Sequence, residues 1–94
     1  MDPVTAIRLA ELFEALSDPT RLRILELLVQ GEVRVGEVVE RIGVSKSAVS
    51  HQLRRLRDRR IIRTRKQGRN VHISLDDAHV KELFQRGMDH IEHG

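Results

Sequence analysis

Leu9, Leu12, Phe13 and Leu16 recur at intervals of three and four residues and predict a first helix over residues 4–16 with one apolar stripe. Ser17 and Asp18 offer caps ahead of Pro19, a residue suited to a first helical turn, and the helix TRLRILELLVQ then runs to Gly31, a favoured stop. Residues 32–35 supply a short strand, and GEVVERIG a brief helix whose Val38, Val39 and Ile42 share a face. Gly43 and Val44 make a turn. Ser45 caps a longer helix to about Arg59, with Ala48, Val49, Leu53 and Leu56 turned inward. The two β-prone runs of IIRTRKQGRNVHISL flank Gly68 and predict a β-hairpin. A last helix starts near Asp77 and carries Val80, Leu83, Phe84, Gly87, Met88 and Ile91 on one stripe. The expected class is mainly α with a small β-hairpin, in a single domain over residues 1–94.

Composition narrows the chemistry. Aromatic residues are 2% of the chain against 39% hydrophobic overall, so the core is to be built from Leu, Ile and Val. A chain of 94 residues makes a thin core that dimerisation would help. Without cysteine there is no disulfide, thiolate ligand or cysteine nucleophile. The N-terminal stretch is acidic and amphipathic, and no apolar run reaches the ~18 residues of a spanning helix, so the expectation is a cytoplasmic protein without a membrane partner. Residues 46–69 hold ten of the 17 Lys and Arg and one acid, Asp58; that window carries +9 and the remainder −6. A merely solvated face is the bland reading of such a block. A face for a polyanion is the sharper one.

Motif order favours the second. A short helix, a tight turn and a second helix rich in Ser, His, Gln and Arg form a helix-turn-helix pattern, and the basic hairpin that follows is a wing. In that geometry Lys46 and Gln52 are candidates for base acceptors, and Ser47, Ser50 and His51 for bases or phosphates. Arg54, Arg55, Arg57, Arg63, Arg65, Lys66 and Arg69 are candidates for phosphates, which give salt-dependent affinity without reading sequence.

The stretches SDPTRLRILELL, SKSAVSHQLRRLR and RKQGRNVHISLDD resemble the ArsR/SmtB family of winged helix-turn-helix repressors over essentially the whole chain. The resemblance implies a homodimer that binds an operator, double-stranded DNA with an imperfect inverted repeat. Sensing sites vary within the family and are read residue by residue.

Three of the five histidines lie on the last helix. With about 100° and 1.5 Å per residue, His79, His90 and His93 fall on one narrow strip, yet His79 and His90 stand about 16 Å apart along the axis. Ligands of one zinc ion each sit about 2 Å from it, so one helix cannot close a site. Two copies packed antiparallel can: Asp77 and His79 of one subunit with His90 and His93 of the other make an N₃O set suited to tetrahedral zinc, and two-fold symmetry gives two sites per dimer. Leu83, Phe84, Gly87 and Ile91 are candidates for packing the helix pair. His72, in the hairpin, reads as an exposed strand residue without ligand partners. Surface histidines at a helix end often do no more than meet the C-terminal dipole.

The spacing of the four is similar to the interhelical site of the zinc- and cobalt-responsive members of the family. Cysteine-based sensors of arsenic, lead, cadmium or copper do not fit a chain without cysteine, and related nickel sensors draw ligands from tails extending beyond the equivalent of His93. Zinc is therefore expected, with cobalt able to substitute. The resemblance further implies a link from a ligating histidine to a backbone carbonyl near Arg60. Three rivals stand beside the metal-responsive repressor: a winged-helix regulator with no metal response, a metal-storage protein, and a metalloenzyme. Four protein ligands leave no open position for catalysis, and no GxSxG, P-loop or HExxH motif occurs, so an enzyme is not expected.

Overall fold

The computed structural model describes residues 1–94. Helices α1 (Pro3–Ala15) and α2 (Pro19–Val29) precede strand β1 (Val33–Arg34), helices α3 (Val35–Ile42) and α4 (Lys46–Asp58), strands β2 (Ile62–Gln67) and β3 (Asn70–Leu75), and helix α5 (Ala78–His93). This is the predicted order of elements. The short strand joins the hairpin, giving an antiparallel sheet in the order β1-β3-β2.

Local chemistry sets the boundaries. Asp18 Oδ2 accepts the Arg21 N–H at 3.0 Å and Ser45 Oγ the Ala48 N–H at 3.1 Å, each capping the helix that follows. Ser17 is not a cap: its hydroxyl donates back to the Glu14 carbonyl at 2.6 Å. Gly43 closes α3 with φ +77°, a left-handed conformation that an L side chain resists, and so sets the sharp turn into α4. In the wing, Gln67 pairs with Asn70 across a two-residue turn that opens at Gly68, φ +61°.

One cluster of twelve buried apolar residues holds these elements together. Ile24, Leu25 and Leu28 of α2 meet Val38 and Ile42 of α3, Val49, Leu53 and Leu56 of α4, and Ile61, Ile62 and Ile73 of the sheet region. From α1 only Ala15 is buried, and from α5 nothing is. The stripe predicted on α1 is split: Leu12 and Leu16 pack against the core, whereas Phe13 is 52% exposed and Leu9 37%. Ala48, expected to point inward, is also exposed. It lies on the outer flank of α4 because Val49 and Leu53 already fill the inward face.

The end of α4 carries strain. Ile61 N–H donates to the Leu56 carbonyl at 2.9 Å and Arg60 N–H to the Arg57 carbonyl at 3.0 Å, the paired bonds of a Schellman motif, with Leu56 and Ile61 both fully buried. The motif needs a left-handed residue at Arg60, φ +57°, where glycine is the usual occupant. Replacing Arg60 by Gly is expected to stabilise the fold by roughly 0.5–1 kcal/mol, read as a higher urea midpoint at unchanged slope. A lowered midpoint would show that the Arg60 side chain makes contacts outweighing its backbone strain.

Candidate nucleic-acid interface and metal ligands

Helix α4 has three longitudinal faces with different occupants. Val49, Leu53 and Leu56 are buried in the core. Lys46, Ser47, Ser50, His51 and Arg54 line one open surface, as the helical repeat dictates for positions one, four and five apart. The third face meets α1 and α2: Arg55 Nη1 lies 3.9 Å from Glu14 Oε1 and Arg59 is hydrogen-bonded to Glu11, both of α1, and Gln52 Oε1 accepts from Nη1 of Arg21, on α2, at 3.0 Å. Of the predicted contacts, Gln52 is thus held by α2 and Arg55 by α1, away from the face that Lys46 and Ser50 share.

Between α4 and the wing runs a cleft of about 610 Å³, edged by Lys46, Arg54, Arg57 and Arg69. Arg34, on β1, lines the same cleft and was not among the residues that sequence reasoning selected. Its sequence gave no cue, because only the pairing of β1 with β3 carries it there. Lys66 and Arg69 are exposed on the wing. The other wing cations face carboxylates: Arg63 Nε lies 3.7 Å from Asp76 Oδ1, and Arg65 Nη2 donates to Glu32 Oε1 at 2.6 Å. His72, expected to be an exposed strand residue, has a side chain only 18% exposed with Nδ1 3.7 Å from Glu32 Oε1. The pairing of β3 with β1 on one side and β2 on the other covers it.

Hydrogen bonding from Arg65, reinforced by the charges of Arg65 and His72, holds the Glu32 carboxyl below its ordinary range against a smaller opposing effect of desolvation. A lowered folded-state pKa means that this contribution to stability is present above the ordinary glutamate pKa of about 4.3 and is lost as pH falls through the lowered value. In a carboxyl-carbon NMR titration, Glu32 is expected to titrate below the ordinary glutamate value, and Arg65→Ala to return it toward that value. An unchanged Glu32 titration in that variant would remove Arg65 as the cause.

At the start of α5, Asp77 Oδ1 accepts the Val80 N–H at 3.1 Å while Oδ2 lies 3.6 Å from His79 Nδ1. The Val80 N–H, and behind it the charge of His79, lowers the Asp77 pKa, so one oxygen of an ionised carboxylate caps the helix and the other stays beside the imidazole. His79 is 92% exposed, and His90 and His93 are exposed in the last turn. Within the chain no three His, Asp or Glu side chains converge on a point that can hold a metal ion. The four predicted ligands form two exposed pairs at opposite ends of one helix. Their chemistry, three imidazoles and a carboxylate, fits a zinc donor set.

Beside those pairs, α1, α2 and α5 enclose an apolar groove of about 360 Å³ lined by Phe13, Leu16, Leu22, Val80, Phe84 and Ile91. Ile91 is 81% exposed, and a Cβ built on Gly87 meets nothing within 4 Å.

Residues 18–64 match the family model described as bacterial regulatory protein, arsR family. A transcriptional repressor SmtB homolog from Synechocystis sp. is 46% identical over 87 residues, 93% of this chain and 66% of that protein. The chain therefore spans just under two thirds of that relative's length. The HTH-type transcriptional regulator NmtR of Mycobacterium tuberculosis is 40% identical over 93 residues, 99% of this chain and 78% of that one. A solution NMR structure from Mycobacterium bovis, described as a homodimeric winged helix-turn-helix DNA-binding domain, is similar at a TM-score of 0.85 and 27% identity, covering 100% of this chain and 93% of that chain.

Proposed function

The chain belongs to the arsR family of bacterial regulatory proteins, and on that premise we propose that it is a metal-responsive transcriptional repressor rather than an enzyme. It acts in the cytoplasm as a homodimer whose two α4 helices enter successive major grooves of an operator with an imperfect inverted repeat. Lys46, Ser47, Ser50, His51 and Arg54 meet base edges and phosphates. Arg34, Arg57, Lys66 and Arg69 flank them on the backbone.

The exposed apolar faces of α1 and α5 support the dimer, because a domain this small rarely leaves such a surface uncovered. The observation that carries the metal reading is the division of donors between the two ends of α5. Asp77 and His79 of one chain and His90 and His93 of its partner hold the ion, two sites per dimer. A bound zinc ion, or cobalt in its place, supplies a tie between the two chains. With all four donors engaged, the α5 helices are fixed in one relative position, and the spacing of the α4 helices is fixed with them. Release of DNA requires that this arrangement bind DNA less well than the metal-free one; by reciprocity, DNA then weakens metal binding by the same factor. The backbone near Arg60, where α4 ends, joins the two regions. Derepression of genes for metal efflux or sequestration follows.

The test is a zinc titration of the protein on a duplex selected from a random pool for tight binding. Release of the duplex as zinc fills two sites per dimer is the expected result. Tight binding that saturating zinc leaves unchanged would favour a winged-helix regulator without metal response.

A further inference from the structure

Arg65 differs from Lys66 and Arg69 in that every nitrogen of its guanidinium is already occupied. Nε donates to Glu32 Oε2 at 3.2 Å, Nη2 to Glu32 Oε1 at 2.6 Å and Nη1 to Gln67 Oε1 at 3.2 Å. A carboxylate across the fork offers the same pair of oxygens that a phosphate would. Sheet order creates the contact: Arg34 of β1 and Arg65 of β2 both lie opposite His72 of β3, which brings Glu32, just ahead of β1, within reach. The two side chains are 52% and 37% exposed, and exposed pairs contribute little to folding. The larger consequence of the pair is what it leaves Arg65 free to bind.

We propose that Glu32 is a charge mask on the wing, withholding Arg65 from DNA phosphates and so suppressing affinity for DNA of arbitrary sequence. The inference rests on the DNA-binding reading above. A phosphate reaching Arg65 must displace a carboxylate, and the freed Glu32 then stands as an anion beside the DNA. The exchange brings almost no net positive charge to the duplex, so almost no counterion release accompanies it. Affinity for arbitrary DNA then falls to Lys66, Arg69 and the α4 cleft, and base contacts from α4 make up a larger share of operator binding.

The experiment measures binding of the zinc-free protein to a random-sequence duplex between about 50 and 200 mM salt, with circular dichroism confirming that each variant folds. Glu32→Gln is expected to steepen the slope of log affinity against log salt by about 0.9 per added phosphate, close to 2 per dimer, and to tighten binding at least about tenfold at the low-salt end. Glu32→Ala, which also removes the amide acceptor, moves both in the same direction. The double variant Glu32→Gln/Arg65→Ala returns to the parental slope, and Arg65→Ala alone flattens it less than Lys66→Ala does. A double variant that keeps the gain would show that Glu32 merely repels DNA, and an Arg65→Ala effect equal to that of Lys66→Ala would show that Arg65 reaches phosphate despite its partner; either overturns the mask. A parent protein with no salt-dependent binding overturns the DNA-binding reading itself, a result distinct from parental binding whose slope the variants do not move.

Discussion

His90→Ala is expected to bind operator DNA as tightly as the parent in the absence of zinc and to stay bound when zinc is added. In the parent, zinc is expected to lower operator affinity by a factor in the ordinary range of allosteric coupling, about 5- to 150-fold or 1–3 kcal/mol. On the proposed reading, the substitution removes a ligand from a site assembled between chains. Loss of an outer-shell partner alone costs about 10- to 100-fold in metal affinity, so loss of a ligand costs at least about 100-fold. His90 is exposed in the last turn of α5, far from the core, so the substitution leaves the fold and the α4 surface intact. Calorimetry gives the metal affinity, and fluorescence anisotropy on the operator gives the coupling. Mixing His79→Ala with His90→Ala chains adds a geometric check: one of the two sites of a mixed dimer keeps all four donors only if the ligands come from different chains. Equal zinc-driven release from the parent and from His90→Ala homodimers would remove this site as the sensor.

Arg21→Met is expected to lower the melting temperature by about 12–24 °C. Arg21 is the one charged residue in the interior, 5% exposed. Its Nε donates to the Ala15 carbonyl at 2.6 Å, Nη2 to the Glu14 carbonyl at 3.1 Å and Nη1 to Gln52 Oε1 at 3.0 Å. The guanidinium thus satisfies the C-terminal carbonyls of α1, where the helix dipole favours a cation, and fastens that end to α4. Methionine matches the stem but leaves two acceptors unpaired, the Ala15 carbonyl and Gln52 Oε1, whereas the Glu14 carbonyl keeps the Ser17 hydroxyl and N–H. With roughly 1–3 kcal/mol for each buried group left without a partner, partly relieved by water, the net cost is about 3 kcal/mol. For a domain of this size each kcal/mol shifts the melting temperature by about 4–8 °C. Arg21→Lys, which can reach one acceptor but not all three, falls between the two. A melting temperature for Arg21→Met within a few degrees of the parent would mean that α1 docks without this bridge.

Such a role was open to reading from the chain only in part. Arg21 precedes Ile24, Leu25 and Leu28 at three, four and seven residues, so it lies on the apolar stripe of α2, whereas Arg23 does not. That phase marked a buried arginine. What it could not supply was the identity of the acceptors, because they belong to the end of another helix and to a side chain 31 residues downstream. Gln52, Arg55 and Arg65 illustrate the same limit. In the sequence they sit among Lys46, Ser50, Arg54 and Lys66 and share their chemistry. In the fold they are bound by Arg21, Glu14 and Glu32 respectively.

The amino-acid sequence alone determined the elements, their caps, the turn at Gly43, the wing around Gly68 and the placing of donor pairs at the two ends of α5, because each of these depends on side chains and backbone within a few residues of one another. Tertiary structure alone decided which cations of the basic segment remain open, that Phe13 and Ile91 stay outside the core while Leu12, Val80 and Phe84 pack on its edge, and that Arg34 joins the cleft. Those outcomes turn on distances between segments tens of residues apart, and a carboxylate a few ångströms from a guanidinium decides its availability regardless of how far away it lies in the chain.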